Sequence, residues 1–150
     1  MKPVLIVLGV LLFLGLACCG GIFFIGRGAI NAVKENNNQA DLFSAKVFSE
    51  IAAEWDREVV LKYAAPEFKE QVPDEKLNSF LASYKETYGK FKSVGEFSAN
   101  DFHANASNGD TSYQVTTKGT ATFENGTATV ELIVIKRKEE WKLLSMELKN

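Results

Sequence analysis

From Ser112 to Glu124 the chain alternates without a break. Tyr113, Val115, Thr117, Gly119, Ala121 and Phe123 stand at odd positions, and Ser112, Gln114, Thr116, Lys118, Thr120, Thr122 and Glu124 at even ones. A period of two with one wholly polar face predicts a half-buried antiparallel strand. Asn125-Gly126 follows at once, and Asn-Gly is the strongest short hairpin signal because a type I′ turn needs positive φ at both central residues. With those two as the turn, Glu124 pairs with Thr127, which sets Phe123 opposite Ala128, Ala121 opposite Val130, Gly119 opposite Leu132 and Thr117 opposite Val134, these four pairs on one face. The next strand, Thr127 to Arg137, leads through Lys138-Glu139-Glu140 to a last strand, Trp141 to Lys149. A three-residue loop there puts Leu144, Met146 and Leu148 on the face of Val130, Leu132 and Val134. Upstream, Val94 to Ala104, with Phe97 and Phe102, predicts a less regular strand, and Ser107-Asn108-Gly109-Asp110 a loop before the long one.

Before Gly89 the period is that of a helix. Ala40, Phe43, Val47, Ile51 and Trp55 recur at three- and four-residue spacing, with Phe48 and Ala52 widening the stripe, so one helix face is apolar. Asp56 is placed to cap a second, shorter helix bearing Val59, Val60 and Tyr63, which stops before Pro66 because a residue preceding proline avoids helical geometry. Pro73-Asp74-Glu75 opens a third helix with Leu77, Phe80, Leu81, Tyr84 and Tyr88 on its stripe and Gly89 at its end. The polar run Glu35-Asn36-Asn37-Asn38-Gln39 reads as a tether or a frayed helical start. The expectation is an α+β domain, three helices packed on one face of a curved four-stranded antiparallel sheet.

The N-terminus follows neither period. Pro3 to Gly26 are 24 consecutive uncharged residues bounded by Lys2 and Arg27, long enough as a helix to span a hydrocarbon core of about 30 Å. A cleaved signal peptide has a shorter apolar region and an Ala-x-Ala site, whereas this run continues through Phe24 and Ile25. Leu16-Ala17-Cys18-Cys19 has a lipoprotein-like look, but Cys18 as acceptor puts Gly15 where leucine is wanted, and Cys19 as acceptor puts Cys18 where a small residue is wanted. Cleavage, and lipidation at Cys18 or Cys19, stay open beside retention. The division is an anchor over residues 1–27, a polar tether over 28–39 and a domain over 40–150. Lys2 alone precedes the span, while Arg27, Lys34 and Lys46 follow it, a count that opposes export. A very short basic tail before a first apolar segment acts as a signal anchor, so the domain is expected outside the cytoplasm, on the periplasmic or cell-surface side. Ala17 and Gly21, four apart among other small residues, would let two such helices approach.

Charge and chemistry narrow the functional classes. Without Lys2 and Arg27 the rest of the chain has 15 basic and 19 acidic residues, which argues against a nucleic-acid surface. Cys18 and Cys19 are the only cysteines, so the domain has neither a disulfide nor a thiolate metal site, and no cofactor is expected. His103 beside Asp101 is the one histidine–carboxylate pair and too common an arrangement to mark a general base. No phosphate-cradling glycine loop and no nucleophile elbow are present. Trp55, Tyr63, Tyr84 and Tyr88 are the candidates for lining a pocket, with core packing the default reading for Trp55, Tyr84 and Tyr88. Asn105-Ala106-Ser107 and Asn125-Gly126-Thr127 match the glycosylation tripeptide, the second within a turn that already calls for asparagine.

A short helix ending at Ala64-Ala65-Pro66-Glu67-Phe68, a further helix, and a sheet that closes on K-R-K-E-E-W-K-L-L through Trp141-Lys142-Leu143-Leu144 resemble the nuclear transport factor 2-like superfamily with its cystatin-like α+β cone. Within it, the small membrane-anchored or secreted bacterial members are the most similar. The resemblance covers roughly residues 38 to 149 and implies a curved sheet around a pocket that members use for ligands, catalysis or dimerisation. The ketosteroid-isomerase-like enzymes of that superfamily place a tyrosine and acids around the pocket. Asp56 and Tyr63 supply the residue types without a matching motif, and Asp56 reads as a helix cap. Three functional expectations follow. The first is a membrane-anchored, non-catalytic domain binding a protein, peptide or small apolar ligand. The second is a pocket enzyme of the isomerase or dehydratase kind, which needs an ionisable side chain with a displaced pKa in a concave, partly dry pocket. The third is a homodimeric module joined through the threonine-rich sheet face, where Ile133 and Ile135 are expected to be exposed.

Overall fold

The computed structural model describes residues 30–150; the anchor expected over residues 1–27, with Cys18 and Cys19, lies outside the described residues. Among the described residues no helix is long and apolar enough to cross a membrane. The chain divides into two units, Met1–Glu35, whose described residues 30–35 are helical, and Asn36–Asn150. In the second unit helices precede strands, as the periodicity implies. Helix α1 covers residues 36–54, followed by α2 (Arg57–Tyr63), α3 (Pro66–Gln71) and α4 (Asp74–Tyr88). A curved antiparallel sheet follows: β1 (Phe91–Val94), β2 (Ser98–Ser107), β3 (Asp110–Phe123), β4 (Gly126–Arg137) and β5 (Glu140–Lys149).

Two elements exceed the expected three helices and four strands. Pro66 does more than end α2: it stands at the first turn of α3, where its missing N–H costs nothing. Strand β1 is only four residues long, too short to show a period. β3 is the organiser, its C-terminal half pairing with β1, its N-terminal half with β2 and its whole length with β4, which in turn pairs with β5. The polar run of residues 36–39 is helical, and Asn36 is buried. Asn36 and Gln39 accept hydrogen bonds from the buried Lys136 ammonium at 3.4 and 3.0 Å.

The stripe of α1 packs on one face of the sheet. Val47, Phe48, Ile51 and Ala52 are buried with Val115, Phe123, Val130, Leu132 and Val134 in one core. A polar contact crosses it, the Ser44 and Thr117 hydroxyls 2.7 Å apart, with the Thr117 hydroxyl also 3.4 Å from the Leu132 carbonyl, so that these buried hydroxyls are met and α1 is tied to β3. Asp56 caps α2, its carboxylate accepting from the Glu58 N–H at 2.6 Å. On α4 the stripe is narrower than expected: Leu77, Leu81 and Tyr88 are buried, while Phe80 is exposed beneath the Lys76 ammonium.

The hairpin after β3 differs in register from the expected one. Phe123 faces Gly126, Ala121 faces Ala128, Gly119 faces Val130 and Thr117 faces Leu132. The loop residues are therefore Glu124 and Asn125, neither at positive φ, and Gly126 takes φ 145°. Tertiary bonds explain the shift: the Glu124 and Asn125 N–H groups donate to the Lys90 and Tyr88 carbonyls, and the Asn125 side chain to the Thr87 carbonyl. The turn is pinned to the end of α4. A slip of two residues preserves the period of two, so the expected face is retained. The paired positive φ values expected of Asn-Gly occur at Asn108-Gly109 (52° and 84°), between β2 and β3.

The last loop is Lys138-Glu139, with Arg137 facing Glu140, two residues where three were expected. A bulge between Ile133 and Val134 then sets Val134 opposite Leu143, with Leu132 opposite Met146 and Val130 opposite Leu148. Leu143, fully buried, thus occupies the place expected for Leu144, which the bulge displaces from the inner face. On the outer face Ile135 is buried and Ile133 half-buried, so the expected exposed isoleucine pair is not there.

Candidate binding clefts flanking helix α1

Helix α1 ends at Trp55, whose N–H donates to the Ile51 carbonyl at 2.6 Å and whose φ is 50°. This is the left-handed position at which glycine commonly ends a helix, and a bulky residue there is an outlier. The bend turns the indole into the core. It stacks on Phe123 with centroids 6.0 Å apart and 23° between planes, lies 5.8 Å from the Tyr84 ring and meets Phe48 edge-on at 6.4 Å. Aromatic packing of this kind, with the burial it brings, offsets the backbone strain. Trp55 is only 9% exposed, and its buried indole N–H has no hydrogen-bond partner among the described residues.

Beside it lies an open cleft of about 430 Å³, lined by Ala52, Ala53, Glu54, Trp55, Lys85, Gly89, Lys90, Phe91 and Glu124. That volume is in the range of small-molecule sites, roughly 300–1,000 Å³. The C-terminal end of α4 supplies Lys85, and the first residue after Gly89 supplies Lys90. Both lysines are exposed. Among the described residues neither lysine forms an ion pair, although Glu54 and Glu124 line the same cleft.

Of the four residues expected to line a pocket, the structure gathers three. Tyr84 touches both Trp55 and Tyr88, and Tyr88 lies 5.1 Å from Phe123. Burial holds the Tyr84 hydroxyl above its ordinary pKa, with the Leu148 backbone pulling the other way. The Tyr88 hydroxyl donates to Asn150 at 2.9 Å. Of these only Trp55 lines the cleft; Tyr84 packs against it, and Tyr88 against Tyr84 and Phe123. Tyr63 stands elsewhere, edge-on to Phe43 and donating to the Glu50 carboxylate, and that hydrogen bond is the main reason the Glu50 pKa is lowered. Lys85, Lys90 and Glu124 carry no sequence signal, because α4 and the β3–β4 turn meet only through the fold.

A second groove, of about 680 Å³, runs along the first half of α1, between Asp41, Leu42 and Ala45 and the β1–β2 connection at Val94, Glu96 and Phe97. Leu42 is 74% exposed there. The Asp41 carboxyl is pushed above its ordinary pKa by burial, with the Ala99 N–H acting against the shift, and its Oδ1 is buried without a partner. His103 and Asp101, 3.0 Å apart, are exposed on β2 and line neither cleft. Among the described residues no group of three or more His, Cys, Asp and Glu side chains is placed to hold a metal ion. No protein-family model matches the chain, and no curated protein is significantly similar to it.

Proposed function

We propose that the chain is a membrane-anchored, non-catalytic binding domain, held outside the cytoplasm by residues 3–26 as a signal anchor, that takes a small, largely apolar ligand in the cleft at Trp55. One observation carries the reading: a tryptophan held at positive φ, its indole N–H buried and unpartnered, forms the wall of an open cleft. Strained backbone and unmet donors are retained where something compensates them, and ligand sites are where they gather. The order of elements supports the likeness to the nuclear transport factor 2-like cone, with a short helix and a short strand beyond the expected pattern. The homodimer reading has lost the exposed isoleucines that prompted it.

The test uses full-length protein purified in detergent without denaturation. Native mass spectrometry is expected to find a bound small molecule. In a Trp141→Phe background, which leaves Trp55 as the only tryptophan, extracting that molecule shifts the indole emission. An unliganded protein whose emission is insensitive to any extraction would overturn the reading.

The second reading, a pocket enzyme of the isomerase or dehydratase kind, is favoured by Asp41. Its carboxyl lies in a concave groove with its pKa raised by burial, as a general acid or base requires. Catalysis needs a second group to meet the charge that develops, and of the groove residues Asn38 and Glu96 are the polar candidates. That reading falls if Asp41 proves to titrate as an ordinary carboxylate.

A further inference from the structure

We propose that the ligand of the Trp55 cleft is a carboxylate on a flat apolar body, its charge met by Lys85 and Lys90 and its body lying against the Trp55 and Phe91 rings. This inference rests on the binding role assigned above to the same cleft and adds the class of ligand.

The cleft has two kinds of wall. The Trp55 and Phe91 rings with the small side chains of Ala52 and Ala53 make an apolar floor, and charged groups stand around it. A flat body is favoured because the indole already packs against flat partners, tilted to the Tyr84 ring at 5.8 Å and stacked on the Phe123 ring at 6.0 Å, and aromatic rings pack favourably on one another. The charge of the ligand follows from what is unmet. Lys85 sits in the last turn of α4, where the helix dipole already favours a cation. Lys90 lies beyond the helix and has no such reason. No carboxylate lies within 4.0 Å of either ammonium among the described residues. Glu124 is partly committed elsewhere, its Oε2 accepting from the Lys90 backbone N–H at 3.4 Å.

Among the described residues, two exposed ammoniums and the exposed Glu54 carboxylate thus stand without an ion partner, and the buried indole N–H without a hydrogen-bond partner. Glu54 and Glu124 balance the two lysines, so the lining carries no net charge. A monoanion that both lysines can reach is accommodated, whereas a dianionic phosphate would be repelled by the two carboxylates. The indole N–H is closed off in the unliganded protein. A side-chain adjustment of the kind that accompanies binding lets a ligand acceptor reach it.

The experiment compares 2-naphthoate with its neutral counterpart 2-naphthamide, titrated by calorimetry into full-length protein in detergent, with empty micelles as the blank. The acid is expected to bind about tenfold or more tightly than the amide, and the preference to shrink as salt rises from 0.05 to 0.5 M, because exposed charges are screened. The double variant Lys85→Gln/Lys90→Gln should bind the acid and the amide about equally, the acid having lost its advantage; both lysines are exposed and without ion pairs among the described residues, so the fold is not at stake. Trp55→Phe, which keeps a ring and removes the donor, should weaken both probes. Equal binding of acid and amide to the parent protein overturns the anionic ligand and leaves the cleft's binding role standing. If neither probe binds, or if Trp55→Phe changes nothing, both the anionic ligand and the Trp55 cleft as its site are overturned.

Discussion

At the scale of single residues, the unusual groups are those whose burial outruns their partners. Asp41 is one. Its folded-state pKa is raised by desolvation, so the ionised carboxylate at neutral pH is a cost that the unfolded chain does not bear. The cost is present above the raised pKa, fades as pH falls through it, and is gone once both states are protonated, below the ordinary value of 3.8. Asp41→Asn is therefore expected to stabilise the protein at pH 7, with the gain vanishing near pH 3. Glu50 and Glu67 act in the opposite sense. Their pKa values are lowered, by the Tyr63 hydroxyl and by Arg137 first, so their contributions stand above the ordinary carboxylate range and are lost as pH falls through the lowered values. They are common to parent and variant and cancel in the difference. Urea denaturation of both proteins from pH 3 to 8 makes the comparison. A variant no more stable than its parent at pH 7 would show that Asp41 is not desolvated, and the enzyme reading would lose its one observation.

At the scale of elements, the β3–β4 hairpin shows both the reach and the limit of sequence patterns. Because Gly126 takes φ 145° and a Cβ there would meet nothing within 4 Å, Gly126→Val acts through the backbone alone and should cost about 1 kcal/mol or more. Thr122 is exposed on the outer face, so Thr122→Lys should stay within about 0.5 kcal/mol. Chemical denaturation compares the two, and a larger loss from Thr122→Lys would mean that the outer face is covered in the native protein. The face of each strand was legible because a period of two survives a two-residue slip. The register was not, because hydrogen bonds from the loop to Tyr88, Lys90 and Thr87 outweigh a local turn preference. In the same way alternation alone could not foresee a bulge that puts Leu143 where Leu144 was expected. For the cleft, Trp55 was legible as a large aromatic at the end of a stripe. Lys85, Lys90 and Glu124 belong to segments that meet only in three dimensions, and nothing in the chain marks them.

At the scale of the whole molecule, the proposed anchor raises the question of which side of a membrane the folded unit would occupy. The core is built from apolar packing, and the only cysteines, Cys18 and Cys19, lie outside the described residues. Folding of the unit Asn36–Asn150 therefore requires no oxidising compartment and is expected on either side. On the proposed reading its location is set by the N-terminal segment, where the two sequence rules disagree: Arg27, Lys34 and Lys46 after the proposed span favour retention, and the short tail ending at Lys2 favours a signal anchor. A reporter decides between them cleanly, because a fused domain that folds in both compartments does not itself bias the result. Alkaline phosphatase, which matures only after export, is expected to be active when fused after Asn150, and the fusion is expected to stay with the membrane fraction until detergent is added. Activity confined to a cytoplasmic reporter at the same position would place the Trp55 cleft inside the cell and reverse the proposed orientation.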